Sequence, residues 1–237
     1  MKGFYYFCKY FFYLPLRLLF PAKVIKKNKF PKEKKLITIS NHLSWKDVIY
    51  VGLYTPGFRH FIGKKEIRKN PFGRFFAWSL GAILIDRSKA DLHGMREIIS
   101  TLKKGEGIGI FPEGTRNKTG EDLQEVKSGS VMFAVKTDTP IVPVMIYKRA
   151  GMFRRNYIYY GEKFDLSEFV GKPLNSANME AATKIVEEHF VRTKEEMDEY
   201  VQNKQWKADK IAKRVAKKEA KRQAKADKNN KKSEEEN

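Results

Sequence analysis

Cys8 is the only cysteine among 237 residues, which excludes an internal disulfide and any cysteine-rich metal site and fits a reducing, cytosolic setting. It stands in an aromatic run and reads as a packing residue, not a nucleophile. No apolar run reaches the ~20 residues that a bilayer-crossing helix needs. The richest stretch, Phe4 to Phe20, is short, carries Lys9 and Arg17 and is broken at Pro15. A signal peptide fits poorly too, because Lys9 splits the apolar region and no small-x-small cleavage site follows. Nucleotide-binding loops are missing: the glycines at 105, 107 and 109 match neither the G-x-G-x-x-G nor the Walker spacing. Acidic residues are scarce, with 28 Asp and Glu against 48 Lys and Arg, a net charge of +20. Such a balance calls for a polyanionic partner: nucleic acid, an anionic bilayer or a phosphorylated ligand. No RNA-binding aromatic motif or groove-reading pattern accompanies the charge, so nucleic acid is not expected.

What is present suffices for a real core, with 41% hydrophobic residues and 13% aromatic. Strand-like runs at Leu36 to Ser40, Arg59 to Ile62, Ala82 to Ile85, Ile108 to Phe111, Ile141 to Tyr147 and Tyr157 to Tyr160 alternate with helix-like ones. The clearest helix is Asp91 to Lys104, where Leu92, Met95, Ile98, Ile99 and Leu102 share a face and Gly105 is the stop. Others are expected at Val48 to Leu53, from Ser128 to Lys136 and from Asn178 to Asp198 or beyond. Alternation of this kind predicts an α/β fold with a mixed, largely parallel sheet flanked by helices. Three divisions are expected. Residues 1–30 form an N-terminal segment whose aromatics and snorkelling cations suit a helix or hairpin in a membrane interface, against the plainer reading of a helix packed on the core. Residues 31–204 are the folded domain, and 205–237 a basic, Lys- and Ala-rich tail, helical and then disordered. Pro21 to Lys35 reads as a Lys-rich connector.

Chemistry concentrates at strand ends, where α/β proteins expose reactive side chains. After Leu36 to Ile39 comes Ser40-Asn41-His42-Leu43-Ser44-Trp45-Lys46-Asp47. A His followed by a carboxylate five positions on is a candidate general base with its orienting partner. Residues five apart on one helix point away from each other. His42 is therefore expected in the loop, with Asp47 in the first helical turn and reaching back. A competing role for Asp47 is helix capping, since Ser44-x-x-Asp47 approximates a capping box. A second strand runs into Phe111-Pro112-Glu113-Gly114-Thr115-Arg116-Asn117, where a guanidinium beside exposed N–H groups at Gly114 and Thr115 suits a phosphate. A third, Gly81 to Arg87, offers Arg87, unless that residue only pairs with Asp86 or Asp91. The fourth block, Thr139-Pro-Ile-Val-Pro-Val144, places two prolines in an apolar strand and by itself speaks of an edge or a kink.

Together NHLSWKD, GAILIDR, FPEGTRN and TPIVPV, with KKEIRKNPFG at Lys64 to Gly73, resemble the 1-acyl-glycerol-3-phosphate acyltransferase family, within the wider glycerolipid acyltransferases. The resemblance covers roughly residues 36 to 165, and an N-H-x4-D block joined to F-P-E-G-T-R is highly specific. Asn117 stands where the family often has Ser. The resemblance implies His42 as general base and Asp47 as the residue that orients and stabilises its imidazolium. It implies Arg87, Glu113, Gly114, Thr115 and Arg116 as the site for the acceptor's glycerol phosphate, and Pro143 as part of acyl-chain or donor binding. The expected reaction moves a fatty acyl group from acyl-CoA or acyl carrier protein to the sn-2 hydroxyl of lysophosphatidate, giving phosphatidate for phospholipid synthesis. No metal and no cofactor beyond the thioester co-substrate is expected. The implied setting is peripheral attachment at the cytoplasmic face of the cell membrane. Two other readings stand beside it: an acyltransferase acting on glycerol 3-phosphate or another lysolipid, and a non-catalytic basic scaffold for membrane or nucleic acid.

Overall fold

The β-branched run after Lys35 forms the central strand of a seven-stranded sheet. A computed structural model of the chain describes residues 2–25, 29–86, 91–117 and 123–203, with single positions at 215, 216 and 219. The strands are β1 (Ala22–Ile25), β2 (Ile37–Ser40), β3 (Arg59–Lys64), β4 (Ile83–Ile85), β5 (Gly107–Ile110), β6 (Ile141–Ile146) and β7 (Asn156–Tyr160). Their spatial order is β1-β7-β6-β2-β5-β3-β4. From β6 to β4 every neighbouring pair is parallel, whereas β7 turns back antiparallel on β6 and carries β1 parallel to itself. The sheet is thus mixed and largely parallel, as the alternation predicts.

The helices are α1 (Lys2–Leu19), α2 (Asp47–Tyr54), α3 (Pro71–Ser79), α4 (Leu92–Lys103), α5 (Ser128–Thr137) and α6 (Ser176–Gln202), with short 3-10 turns at Lys65–Lys69 and Ser167–Phe169. Strand alternation divides the core. Leu36, Val142, Val144, Ile146, Ile158 and Tyr160 pack with Tyr50, Val51 and Tyr54 of α2, and Tyr13, Leu16 and Leu19 of α1 lie on that cluster. The alternate residues Ile37, Ile39, Ile141 and Met145 are buried outside it. Asp91 caps α4 by accepting from the Gly94 N–H, 2.9 Å away, and Gly105 follows the helix at φ +77°.

Three elements differ from the sequence reading. Ala22–Ile25 lies inside the expected connector, yet it is an edge strand in register with Asn156–Tyr159 of β7. Edge strands tolerate lysines, which is why Lys23 and its neighbours disguise it. The motif Lys64 to Gly73, for which no element was expected, ends β3 and supplies the 3-10 turn at Lys65–Lys69 and the start of α3, which runs on to Ser79. Of the two readings of Pro143, an edge or a kink, the edge is excluded, because the residue pairs with Ile39 in the sheet interior. There β6 and β7 change register, from Val144 opposite Tyr160 to Ile141 opposite Phe164. This one-residue bulge accommodates the donor that proline lacks.

The chain divides into two compact units, Met1–Glu195 and Glu196–Asn237. Nearly all of the expected basic tail lies outside the described residues. No helix among the described residues is long and apolar enough to cross a membrane.

Candidate active site

β2 and β5 are parallel neighbours, so the loops that follow them leave the same end of the sheet. The loop after β2 carries His42 and the loop after β5 carries Glu113. Asn41 fixes the first loop: its Nδ2 donates to the Ile146 carbonyl (2.9 Å) and its Oδ1 accepts the Ile146 N–H (2.8 Å). The two loops are then joined by backbone. The His42 N–H donates to Glu113 Oε1 at 3.0 Å, and the Asn117 N–H donates to the His42 carbonyl at 2.7 Å. The His42 ring also stacks on Phe111, with centroids 4.1 Å apart and planes 19° from parallel.

Asp47 opens α2 and reaches back as the spacing requires. His42 Nδ1 lies 3.0 Å from Asp47 Oδ2, with the side chains 17% and 0% exposed. Oδ2 also accepts the Ser44 N–H at 2.6 Å, and Oδ1 accepts the Ser44 hydroxyl at 3.0 Å. The Ser44 N–H to Asp47 bond matches one half of a capping box, but α2 begins at Asp47 with Lys46 as its N-cap and no side-chain cap bond, and the Ser44 hydroxyl oxygen accepts the Lys46 N–H at 3.2 Å. A carboxylate can only accept, so the His42–Asp47 contact calls for a proton on Nδ1, and in a neutral ring Nε2 then keeps its lone pair. Among the described residues no hydrogen bond occupies Nε2.

Glu113 is 2% exposed. Burial pushes its carboxyl up to about 7, the Asp47 charge adds to the rise, and the N–H groups of His42 and Gln124 oppose it. Its Oε2 is buried without a hydrogen-bond partner among the described residues. The side chain thus holds the backbone of His42 in place. Gly114 adopts φ +72°, a conformation costly for residues with a Cβ, and an added Cβ would come within 3.0 Å of the Lys127 side chain. Thr115 and Arg116 are exposed on the same loop, the Thr115 hydroxyl donating to Gln124 Oε1 at 3.0 Å. Arg87 lies outside the described residues. β4, which precedes it, is parallel to β3 and ends at the same end of the sheet as β2 and β5. Pro143 is not brought to His42. Its side chain points away from the cluster that contains Phe111 and lies near Gly161.

Sequence reasoning missed Asn41, Phe111 and Lys127. Asn41 and Phe111 stood inside the quoted blocks, so their position was visible but their roles were not. Lys127 lies ten residues past the block and gave no signal. The Lys127 N–H donates to the Pro112 carbonyl at 3.0 Å, which folds the far arm of the loop back beside Gly114.

The sequence profile described as Acyltransferase matches residues 21–147, a span that includes both loops and the strands that carry them. The chain belongs to the acyltransferase family. Among the relatives of this acyltransferase chain, the 1-acyl-sn-glycerol-3-phosphate acyltransferase of Borreliella burgdorferi is 33% identical over 132 residues, 54% of this chain and 52% of the relative. The protein of the same name from Bacillus subtilis is 30% identical over 175 residues, 73% of this chain and 84% of the relative. The chain thus spans about half the length of the first of these and most of the second. The crystal structure of the 1-acyl-sn-glycerophosphate (LPA) acyltransferase PlsC from Thermotoga maritima superposes with a TM-score of 0.63 at 27% identity, covering 83% of this chain and 79% of that one.

Proposed function

We propose that this chain transfers a fatty acyl group from an acyl thioester to the sn-2 hydroxyl of 1-acyl-glycerol-3-phosphate, forming phosphatidate. The observation that carries the reading is the 3.0 Å contact between His42 Nδ1 and Asp47 Oδ2, which supports a proton on Nδ1 and Nε2 as the base at the end of the sheet where the two loops meet. Nε2 takes the proton of the acceptor hydroxyl as its oxygen attacks the thioester carbonyl. A C–O bond forms, the C–S bond breaks, and the imidazolium returns the proton to the departing thiolate. Asp47 stabilises the imidazolium between these steps. A thioester needs little help with its leaving group, so placement of the alcohol dominates the demand.

The exposed Arg116, beside the left-handed Gly114, is the described cation best placed for the acceptor's phosphate, with Arg87 as its expected companion. The names of the relatives support the lysophosphatidate reading, and α1, with its exposed Phe7, Phe11, Leu14 and Leu18 on one stripe, supports peripheral attachment to the bilayer that holds such an acceptor. Acyl-CoA and acyl carrier protein are both anionic and suit the same basic chain. The test is purified protein assayed against a matrix of lysophosphatidate, glycerol 3-phosphate and a lysolipid without a phosphomonoester, each with both donors. Phosphatidate formed from lysophosphatidate with at least one donor is the expected result. Turnover confined to either other acceptor would overturn the choice of substrate.

A further inference from the structure

The connection between β6 and β7, residues 147–155, has no role in the site described above. It reads Tyr-Lys-Arg-Ala-Gly-Met-Phe-Arg-Arg. At its tip Met152 and Phe153 are 52% and 72% exposed. Phe153 is held at φ +57°, a left-handed conformation that is rare for a bulky residue and marks a position fixed by its surroundings. What fixes it is on both sides. At the base, buried Asn156 clasps Lys148, accepting its N–H at 3.0 Å and donating to its carbonyl at 2.6 Å. At the tip, the Phe153 N–H donates to the Leu19 carbonyl at the end of α1, 2.7 Å away. The tip is a built projection that aims two apolar side chains at solvent.

Its surroundings define the partner. Lys148, Arg149, Arg154 and Arg155 flank the apolar pair, and no acidic residue occurs between Thr139 and Gly161. The segment it is bonded to, α1 and its flank, has no acidic residue before Glu33. Apolar side chains ringed by cations match the boundary between acyl chains and anionic headgroups, where the first gain by burial and the second by charge. The projection also has a defined place. Ile146, the last residue of β6, carries both bonds from Asn41, the neighbour of His42. The tip therefore leaves the sheet at the end where His42 opens, the same end as the loop after β2 that carries exposed Trp45.

We propose that the 147–155 tip inserts Met152 and Phe153 into an anionic bilayer, a second contact besides α1 that turns the His42 end of the sheet toward the membrane. The inference deepens the lipid-acceptor reading and rests on it for its purpose, though not for its test.

The probe is a vesicle of equal parts phosphatidylcholine and phosphatidylglycerol, with the full chain. An environment-sensitive dye on Phe153→Cys, in a Cys8→Ser background, should brighten and shift to the blue on vesicles. The same dye on Glu168→Cys should not. Met152→Ser with Phe153→Asn, asparagine being chosen because it tolerates the left-handed backbone, should weaken partitioning about tenfold at any salt. Arg154→Gln with Arg155→Gln should weaken it about fivefold per charge at low salt and little at high salt. Turnover of a dispersed short-chain lysophosphatidate without vesicles should be unchanged in both variants. A dye that stays water-exposed on vesicles, or one that responds to a soluble acidic carrier protein and not to lipid, overturns the proposal. So does an equal loss of turnover on the dispersed acceptor, which would make the tip a structural element. Dye insertion without acyl transfer to any acceptor would leave the tip contact standing and remove the enzymatic reading instead.

Discussion

Replacing Asp47 by asparagine isolates one contribution to the site with little change of geometry. Two donors converge on Oδ2, His42 Nδ1 at 3.0 Å and the Ser44 N–H at 2.6 Å, while Oδ1 faces the Ser44 hydroxyl at 3.0 Å. An asparagine there keeps its carbonyl oxygen at the Oδ2 position, because an amide NH₂ would face two donors. Its NH₂ then donates to the Ser44 oxygen, which turns to accept. The imidazole keeps its tautomer, and only the charge facing the imidazolium disappears. Losing an opposite charge at that distance is worth roughly 2 to 3 kcal/mol, or ~10²-fold in turnover. A loss near ~10⁴-fold would instead be expected if the wrong tautomer formed. Asp47→Ala strands the same three donors in a fully buried place, so it should lose ~10³-fold or more in turnover and roughly 2 to 4 kcal/mol of stability. The assay is thioester consumption with lysophosphatidate, paired with a thermal or urea melt of each variant. Full turnover in Asp47→Asn, with a stability loss of ~1 kcal/mol, would reduce Asp47 to a helix cap and refute the argument.

Three further outcomes follow from the same geometry. The Glu113 carboxyl is raised from its ordinary 4.5 to about 7, so the folded state binds this proton more tightly. Its stabilising contribution is present below about pH 4.5 and fades as pH climbs to about 7, by up to ~3 kcal/mol. Glu113→Gln should flatten that decline in urea midpoints measured across the window, and an unchanged slope would contradict the assignment. Arg116→Lys should cut kcat/KM for a phosphorylated acceptor ~10- to 150-fold and leave a dephosphorylated one nearly unaffected, because lysine cannot reproduce a bidentate grip. Equal losses on both acceptors would make Arg116 structural. Asn41→Ala removes both bonds to Ile146 and leaves two buried backbone groups unpaired, so a destabilisation of roughly 2 to 4 kcal/mol is expected from the melt. A loss under ~0.5 kcal/mol would show that the loop after β2 is held by other means.

Much of this arrangement was legible because period-two burial and strand-end chemistry are local properties. The apolar runs before His42 and Glu113 announced β2 and β5, and a parallel sheet then required both loops to share one end. The i to i+5 spacing of His42 and Asp47 likewise forced a loop-to-helix junction, which the 3.0 Å contact displays. What stayed hidden depends on partners far away in sequence. Ala22–Ile25 becomes a strand only because β7 lies beside it, and its lysines mask the pattern. Pro143 sits in the sheet interior because a bulge opposite it removes the need for its N–H, and no residue of TPIVPV reports that bulge. Glu113 looked like part of a phosphate loop. Its carboxyl also braces the backbone of His42, a contact across 71 positions that spacing cannot predict. The tip at Met152 and Phe153 gave no sequence signal, since two apolar residues between basic pairs become a projection only when Asn156 and Leu19 fix the chain around them.

If Nε2 of His42 deprotonates the lysophosphatidate hydroxyl and that oxygen takes the acyl group directly from the thioester, thiol release and phosphatidate formation are one coupled event. The most direct measurement is a single-turnover experiment in which thiol release and phosphatidate formation are followed together, in the wild type and in His42→Ala. In the wild type both products should appear in step, and neither should appear without lysophosphatidate. In His42→Ala, both should fall by at least ~10³-fold while the melting temperature stays close to wild type. Rapid thiol release ahead of phosphatidate, or turnover that survives the loss of His42, would contradict direct transfer with His42 as the base.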